Sequence, residues 1–80
     1  MERITHYLEI YPEYFEAVAS GEKRFEVRRK SRGFNVGDIL VLQENDGIKT
    51  GREIKAEVTY ILDDEEFCKE DYVILSIQLI

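Results

Sequence analysis

Hydrophobic and polar positions alternate over residues 4–11, with His6, Leu8 and Ile10 on one face and Tyr7, Glu9 and Tyr11 on the other. A period of two predicts a strand with one face turned to a core. The pattern then changes. Pro12 suits the first turn of a helix, where its missing N–H is no loss. Glu13 and Glu16 lie near the positive end of that helix's dipole, and Tyr14, Phe15, Val18 and Ala19 form an apolar stripe. Gly21 is the expected stop, so a helix is predicted over 12–20. A second strand is predicted near 24–30, with Phe25 and Val27 on its buried face and Arg24, Glu26 and Arg28 as a charged outer row.

Gly33 and Gly37-Asp38 flank a turn, and Ile39-Leu40-Val41-Leu42 is an unbroken apolar run that fits a strand covered on both sides. Asn45-Asp46-Gly47 is a turn signal. Alternation returns over 53–61, where Ile54, Ala56, Val58 and Tyr60 oppose Glu53, Lys55, Glu57 and Thr59. It returns again over 72–79, with Val73, Leu75, Ile77 and Leu79 on one face. Residues 63–71 hold six acids and one lysine and read as a solvated loop or short helix. Five strands around one helix predict a single α+β domain over residues 1–80. It is mostly β, a small curled or closed mixed sheet in which closure removes exposed edges.

Composition narrows the class. A hydrophobic fraction of 44 % fits a folded globule and excludes a disordered chain. The single cysteine, Cys68, allows no intrachain disulfide, and no apolar stretch approaches the ~20 residues that span a bilayer. The opening residues Met1-Glu2-Arg3-Ile4-Thr5-His6 mix charges of both signs, unlike a secretory leader. A cytoplasmic monomer with no membrane association is expected. No cofactor is implied. His6 and Cys68 lie 62 positions apart (68 minus 6) and form no zinc pattern, so no metal is expected either.

Charge adds the functional clue. The chain carries a formal net charge of −6, yet six of its eleven basic residues lie within Gly21–Arg32. A cationic patch in an anionic chain suggests a local site for something negative. The acidic balance argues against coating duplex DNA and leaves room for one or a few nucleotides. Lys23 could contact phosphate or, if desolvated, act as a base or nucleophile. Glu26 and Arg28 lie two apart and should share a strand face, where the carboxylate could hold the guanidinium for a ligand or accept from a base edge. Ideal alternation places Lys23 on the opposite face, so the three converge only if Lys23 precedes the strand or a bulge re-aims it. Arg24, Arg29, Lys30 and Arg32 are candidate backbone contacts. Phe25 is expected in the core. Tyr7, Tyr11 and Tyr14 are better placed to stack on unpaired bases, and Phe34 fits either role. Thr50-Gly51-Arg52 is a candidate second lip. The acidic run Asp63-Asp64-Glu65-Glu66 is a solvated face or a cover for the basic patch.

The spacing Gly21-x-Lys23-x-x-Glu26-x-Arg28 resembles the signature of the ASCH domains, relatives of the PUA domains. Phe34-Asn35-Val36-Gly37-Asp38-Ile39-Leu40 resembles the barrel segment that follows that signature. His6-x-Leu8-x-Ile10, Pro12-Glu13-Tyr14-Phe15 and Thr50-Gly51-Arg52-Glu53-Ile54 resemble a compact bacterial and phage subgroup. The resemblance implies a small PUA-like β-barrel of about five strands with one helix between the first two. It also implies an RNA- or nucleotide-binding module with Lys23, Glu26 and Arg28 of the signature lining its site, to which the charge pattern adds Arg24, Arg29, Lys30, Arg32 and Arg52 as candidate contacts. Some small ASCH proteins are amidohydrolases of acetylated cytidine that use a Lys, a Thr three residues later and a distant Glu. Lys23 matches the first, and position 26 is Glu instead of Thr. A third reading is a protein-interaction module built on the charge dipole between residues 23–32 and 63–71.

Overall fold

The structure is a computed structural model, and residues 2–80 of it are described. The elements follow in the order β1 (Thr5–Ile10), α1 (Pro12–Ala19), β2 (Phe25–Arg29), a 3₁₀ turn (Lys30–Arg32), β3 (Ile39–Asn45), β4 (Lys49–Leu62) and β5 (Tyr72–Leu79). One five-stranded sheet has the order β1-β3-β4-β5-β2. β1 runs parallel to β3, and the other pairings are antiparallel. The sheet curls into a half-barrel, so the first two strands of the sequence become its two edges. The helix that joins them crosses the concave side.

The interior is one cluster. Leu8 and Ile10 of β1, Leu40 and Leu42 of β3, Ala56 and Val58 of β4, and Val73, Leu75 and Ile77 of β5 meet Phe15 and Val18 of α1. These are the faces that the alternation predicted for β1, β4 and β5. Val41 points the other way and is buried as well, between its register neighbours Tyr7 and Lys55, so this part of the β3 run is covered on both sides. The helix starts with Pro12 in its first turn. It ends at Ser20, whose amide donates back to Glu16, and Gly21 follows at φ 84°, the left-handed position that suits a residue without Cβ.

Two predicted positions are inverted. In β4 an extra residue, Thr59, sits between the Val58↔Ile77 and Tyr60↔Ser76 pairs. The bulge flips the alternation, so Tyr60 faces solvent and Ile61 packs on the core. In β2 the whole strand is turned over. Phe25 and Val27 are 45 % and 49 % exposed, while Glu26 is only 3 % exposed. The register explains it: Glu26 pairs with Leu75 and Arg28 with Val73, both on the inner face of β5. Paired residues share a sheet face, so the charged row of β2 is the inward one.

Asp38 ties the loop before β3 to the start of β1. It accepts from His6 Nε2 at 2.8 Å and from the Asn35 and Ile4 amides at 3.0 and 3.2 Å. Burial alone would push its carboxyl up. The hydrogen bonds from His6, Asn35 and Ile4, with the attraction of the imidazole, outweigh that and hold it below the usual carboxylate range. The His6 ring lies 4.6 Å from the half-buried Phe34 ring, and Cys68 Sγ donates to the Leu62 carbonyl at 3.4 Å. Both side chains are therefore engaged in holding local structure.

Candidate functional site

The strand turned over in β2 builds the site. Lys23 lies two residues before β2 begins, outside the alternation that would have sent it to the far face. Its amide donates to the Ala17 carbonyl at 3.0 Å, which fixes the approach to the strand. Its Nζ donates to Glu26 Oε2 and, at 2.7 Å, to the Phe25 carbonyl. Arg28 donates to the other oxygen, Glu26 Oε1, from Nε at 3.0 Å and Nη2 at 2.7 Å. Both oxygens of a buried carboxylate are thus occupied by two cations. Glu26 thereby holds both cations in place. Lys23 is used as a hydrogen-bond donor in both of its contacts, whereas base or nucleophile chemistry would need its lone pair.

These three residues line a cleft of about 770 Å³, together with Glu9, Ile10 and Tyr11 at the end of β1, Tyr14 at the start of α1, Phe25 and Val27 on β2, and Asn45. The volume suits a small organic ligand. The cleft is the mouth of the seam between the two edge strands. Tyr11 is 69 % exposed, its ring centroid is 6.2 Å from that of Tyr14, and Lys23 Nζ lies 4.8 Å from the Phe25 ring centre and 5.6 Å from that of Tyr14. An aromatic rim therefore lies against Lys23 in the cleft it shares with Arg28. Across from them, Asn45 Nδ2 donates to Glu9 Oε2 at 2.8 Å.

The seam itself is closed by arginines. β3 takes the Ile4 carbonyl through the Ile39 amide at 3.0 Å. By strand alternation, the Tyr7 and Glu9 carbonyls face the free edge. Arg28 Nη2 donates to the Glu9 carbonyl at 2.9 Å, and Arg32 Nη2 donates to the Tyr7 carbonyl at 3.0 Å. Side chains replace the main-chain ladder that a fully closed barrel would have here.

The structure gathers part of the predicted site and disperses the rest. Lys23, Glu26 and Arg28 converge in the cleft, and Arg32 lies farther along its seam. Arg24 donates from Nε to the Gly21 carbonyl at 2.9 Å and lines a separate hollow with Thr59 and Gln78. Arg29 lies over the Tyr72 ring at 5.1 Å. Lys30 pairs with Asp63 at 3.1 Å, and that hydrogen bond and charge raise its pKa. Among the described residues, Lys30 is the one member of the basic run that pairs with the acidic run. Arg52 pairs with Glu16 at 2.5 Å and lies 3.5 Å from Glu44 and 4.4 Å from the Phe15 ring centre. Its pKa is raised, chiefly by the Glu16 hydrogen bond. Thr50 donates to Glu44 at 2.7 Å, so Thr50-Gly51-Arg52 clamps the helix to the sheet and forms no lip of the cleft. Phe25, expected in the core, stands on the rim. Val27, Glu9 and Asn45 line the cleft without any mark in the sequence that sets them apart.

The fold and this cleft define a class: a small half-barrel β domain whose two edge strands enclose a polar cleft with an aromatic rim. Residues 5–77 match the family model described as Domain of unknown function (DUF3850), and the chain belongs to that family. It is 39 % identical over 71 residues to the uncharacterized 12.9 kDa protein in the GpA 3′ region of Escherichia phage P2. That match covers 88 % of this chain and 64 % of the phage protein, so the chain spans under two thirds of that relative's length. The crystal structure of hypothetical protein PH0355 has a similar fold. The TM-score is 0.66 at 17 % identity, covering 96 % of this chain and 100 % of that one.

Proposed function

We propose that this domain binds RNA or a nucleotide in the cleft between β1 and β2, as an ASCH-like member of the PUA-like group. The observation that carries the reading is the pairing of exposed aromatic rings with two cations held by one buried carboxylate. Tyr11, Tyr14 and Phe25 offer faces on which an unpaired base stacks. Lys23 and Arg28 retain N–H donors beyond those given to Glu26, Phe25 and Glu9, and these suit base carbonyls or phosphate oxygens.

NMR titration with nucleotides and short RNAs at low salt tests the proposal and locates the site together. Shifts centred on Tyr11, Lys23, Phe25 and Arg28, lost in Lys23→Ala and Arg28→Ala, are expected. Absence of binding to every nucleotide and RNA tried overturns it, and a nucleic-acid-insensitive protein complex through this cleft would replace it.

A further inference from the structure

The cleft's own charges cancel. Two carboxylates, Glu9 and Glu26, and two cations, Lys23 and Arg28, line it. A balanced lining recognises hydrogen-bonding groups well and attracts a polyanion weakly. A phosphate backbone must then find its positive charge elsewhere, and the seam supplies it. Arg3, Lys23, Arg28, Lys30 and Arg52 each have a carboxylate within salt-bridge distance. Among the described residues of the basic run, Arg24, Arg29 and Arg32 have none, and of these three Arg32 is the one held on the seam. Its guanidinium is held by a carbonyl of the edge strand, and its remaining N–H groups are uncommitted. Beside it Tyr7 is 60 % exposed.

The spacing is also favourable. The carbonyls that hold Arg28 and Arg32 belong to Glu9 and Tyr7, two residues apart on one strand. That is about 6.6 Å along the strand, so a group next to a base in the cleft reaches Arg32. Tyr7 and Tyr11 stand at the two ends of the same track.

Resting on the proposed function above, we infer that the ligand is a single strand of at least two nucleotides. One base enters the charge-balanced cleft, the adjoining phosphate lies on Arg32, and the next base stacks on Tyr7. The cleft selects the base, and Arg32 supplies the electrostatic attraction.

The test compares nucleosides, mononucleotides and mixed-sequence RNA tetranucleotides by calorimetry or NMR on the intact chain. Tetranucleotides should bind about ten-fold or more tighter than nucleosides, since one added stack and one phosphate contact suffice for that gain. Arg32→Gln should remove most of the gain and flatten the salt dependence while leaving nucleoside affinity unchanged. Arg32→Lys should keep the salt dependence, which a merely structural staple would not. Tyr7→Ser should remove a smaller part of the gain. Equal affinity for nucleosides and tetranucleotides, or an Arg32→Gln loss that falls on both alike, overturns the inference and leaves cleft binding standing. Failure of all three ligand classes to bind overturns the proposed function instead.

Discussion

β2 and β5 are hydrogen-bonded neighbours, and they turn different chemistry to the same interior. β5 presents Val73, Leu75 and Ile77, all buried. β2 presents Glu26 against Leu75 and Arg28 against Val73, and leaves its own apolar residues, Phe25 and Val27, outside. The difference follows from position in the sheet. β5 lies between two strands, and its inner face meets the core cluster. β2 is an edge, and its inner face opens on the seam. There Lys23 and Arg28 keep part of their surface in water while they neutralise Glu26. Inward-pointing charge on an edge strand also discourages a second chain from pairing there. One arrangement thus serves both edge protection and the cleft.

The contrast can be broken by substitution. Leu75→Ala, on the β5 side, should lower unfolding free energy by about 3–4 kcal/mol in denaturant titration, as a cavity in a packed core does. A cost below about 1 kcal/mol would mean the interior is loose. Glu26→Ala, on the β2 side, should cost about 3 kcal/mol. That is the low end for breaking a buried ion pair, because Lys23 and Arg28 are partly hydrated. A neutral result would show that the carboxylate is not what organises the strand.

Asp38 gives a pH version of the same test. Its carboxyl titrates below the ordinary value of 3.8 in the fold, so the unfolded chain binds the proton first. The stability it contributes is present above that value and is lost as pH falls through the lower, folded one. Thermal melts of the native chain from pH 6 down to 2.5 should therefore fall more steeply than those of Asp38→Asn. Parallel curves would contradict the assignment.

The inversion of β2 makes a prediction of small effects. Phe25→Ser and Val27→Thr should each change stability by about 0.5 kcal/mol or less, as exposed positions do. Losses of the size expected for Leu75→Ala would put those side chains back in the core. Smallest of all, Asp63→Asn removes the exposed partner of Lys30 and should leave the unfolding midpoint unchanged. A measurable drop would show that the acidic segment holds the fold.

Much of the architecture was legible in the chain. Period-two alternation marked β1, the second half of β4 and β5, and Pro12 with Gly21 bracketed the helix. The face of β2 was not legible, because Phe25-Glu26-Val27-Arg28 alternates equally well whichever side is buried. Burial of the apolar side is only the usual outcome, and here the pairing with β5 overrides it. Tyr60 was placed inside for a related reason: a bulge inserts one residue without altering local composition. In the site, Glu26 and Arg28 were legible as a pair two residues apart. The convergence of Lys23 depended on where the strand begins, and the roles of Glu9 and Asn45 depended on bringing residues 9, 26 and 45 together.

The sequence by itself determined the local periods, the helix limits and the unusual density of charge over residues 21–32. These are properties of neighbours along the chain, where side-chain spacing and backbone preference act directly. Only the tertiary structure decided which of those charges work together. The strand order turned the first two strands into the sheet's two edges, and register with β5 turned Glu26 inward. The same packing sent Arg24, Arg29, Lys30 and Arg52 to other surfaces. Of a run of six basic residues, two cations share one carboxylate in the cleft and Arg32 joins the edge strand along its seam, because long-range pairing, not composition, sets the partner of each charge.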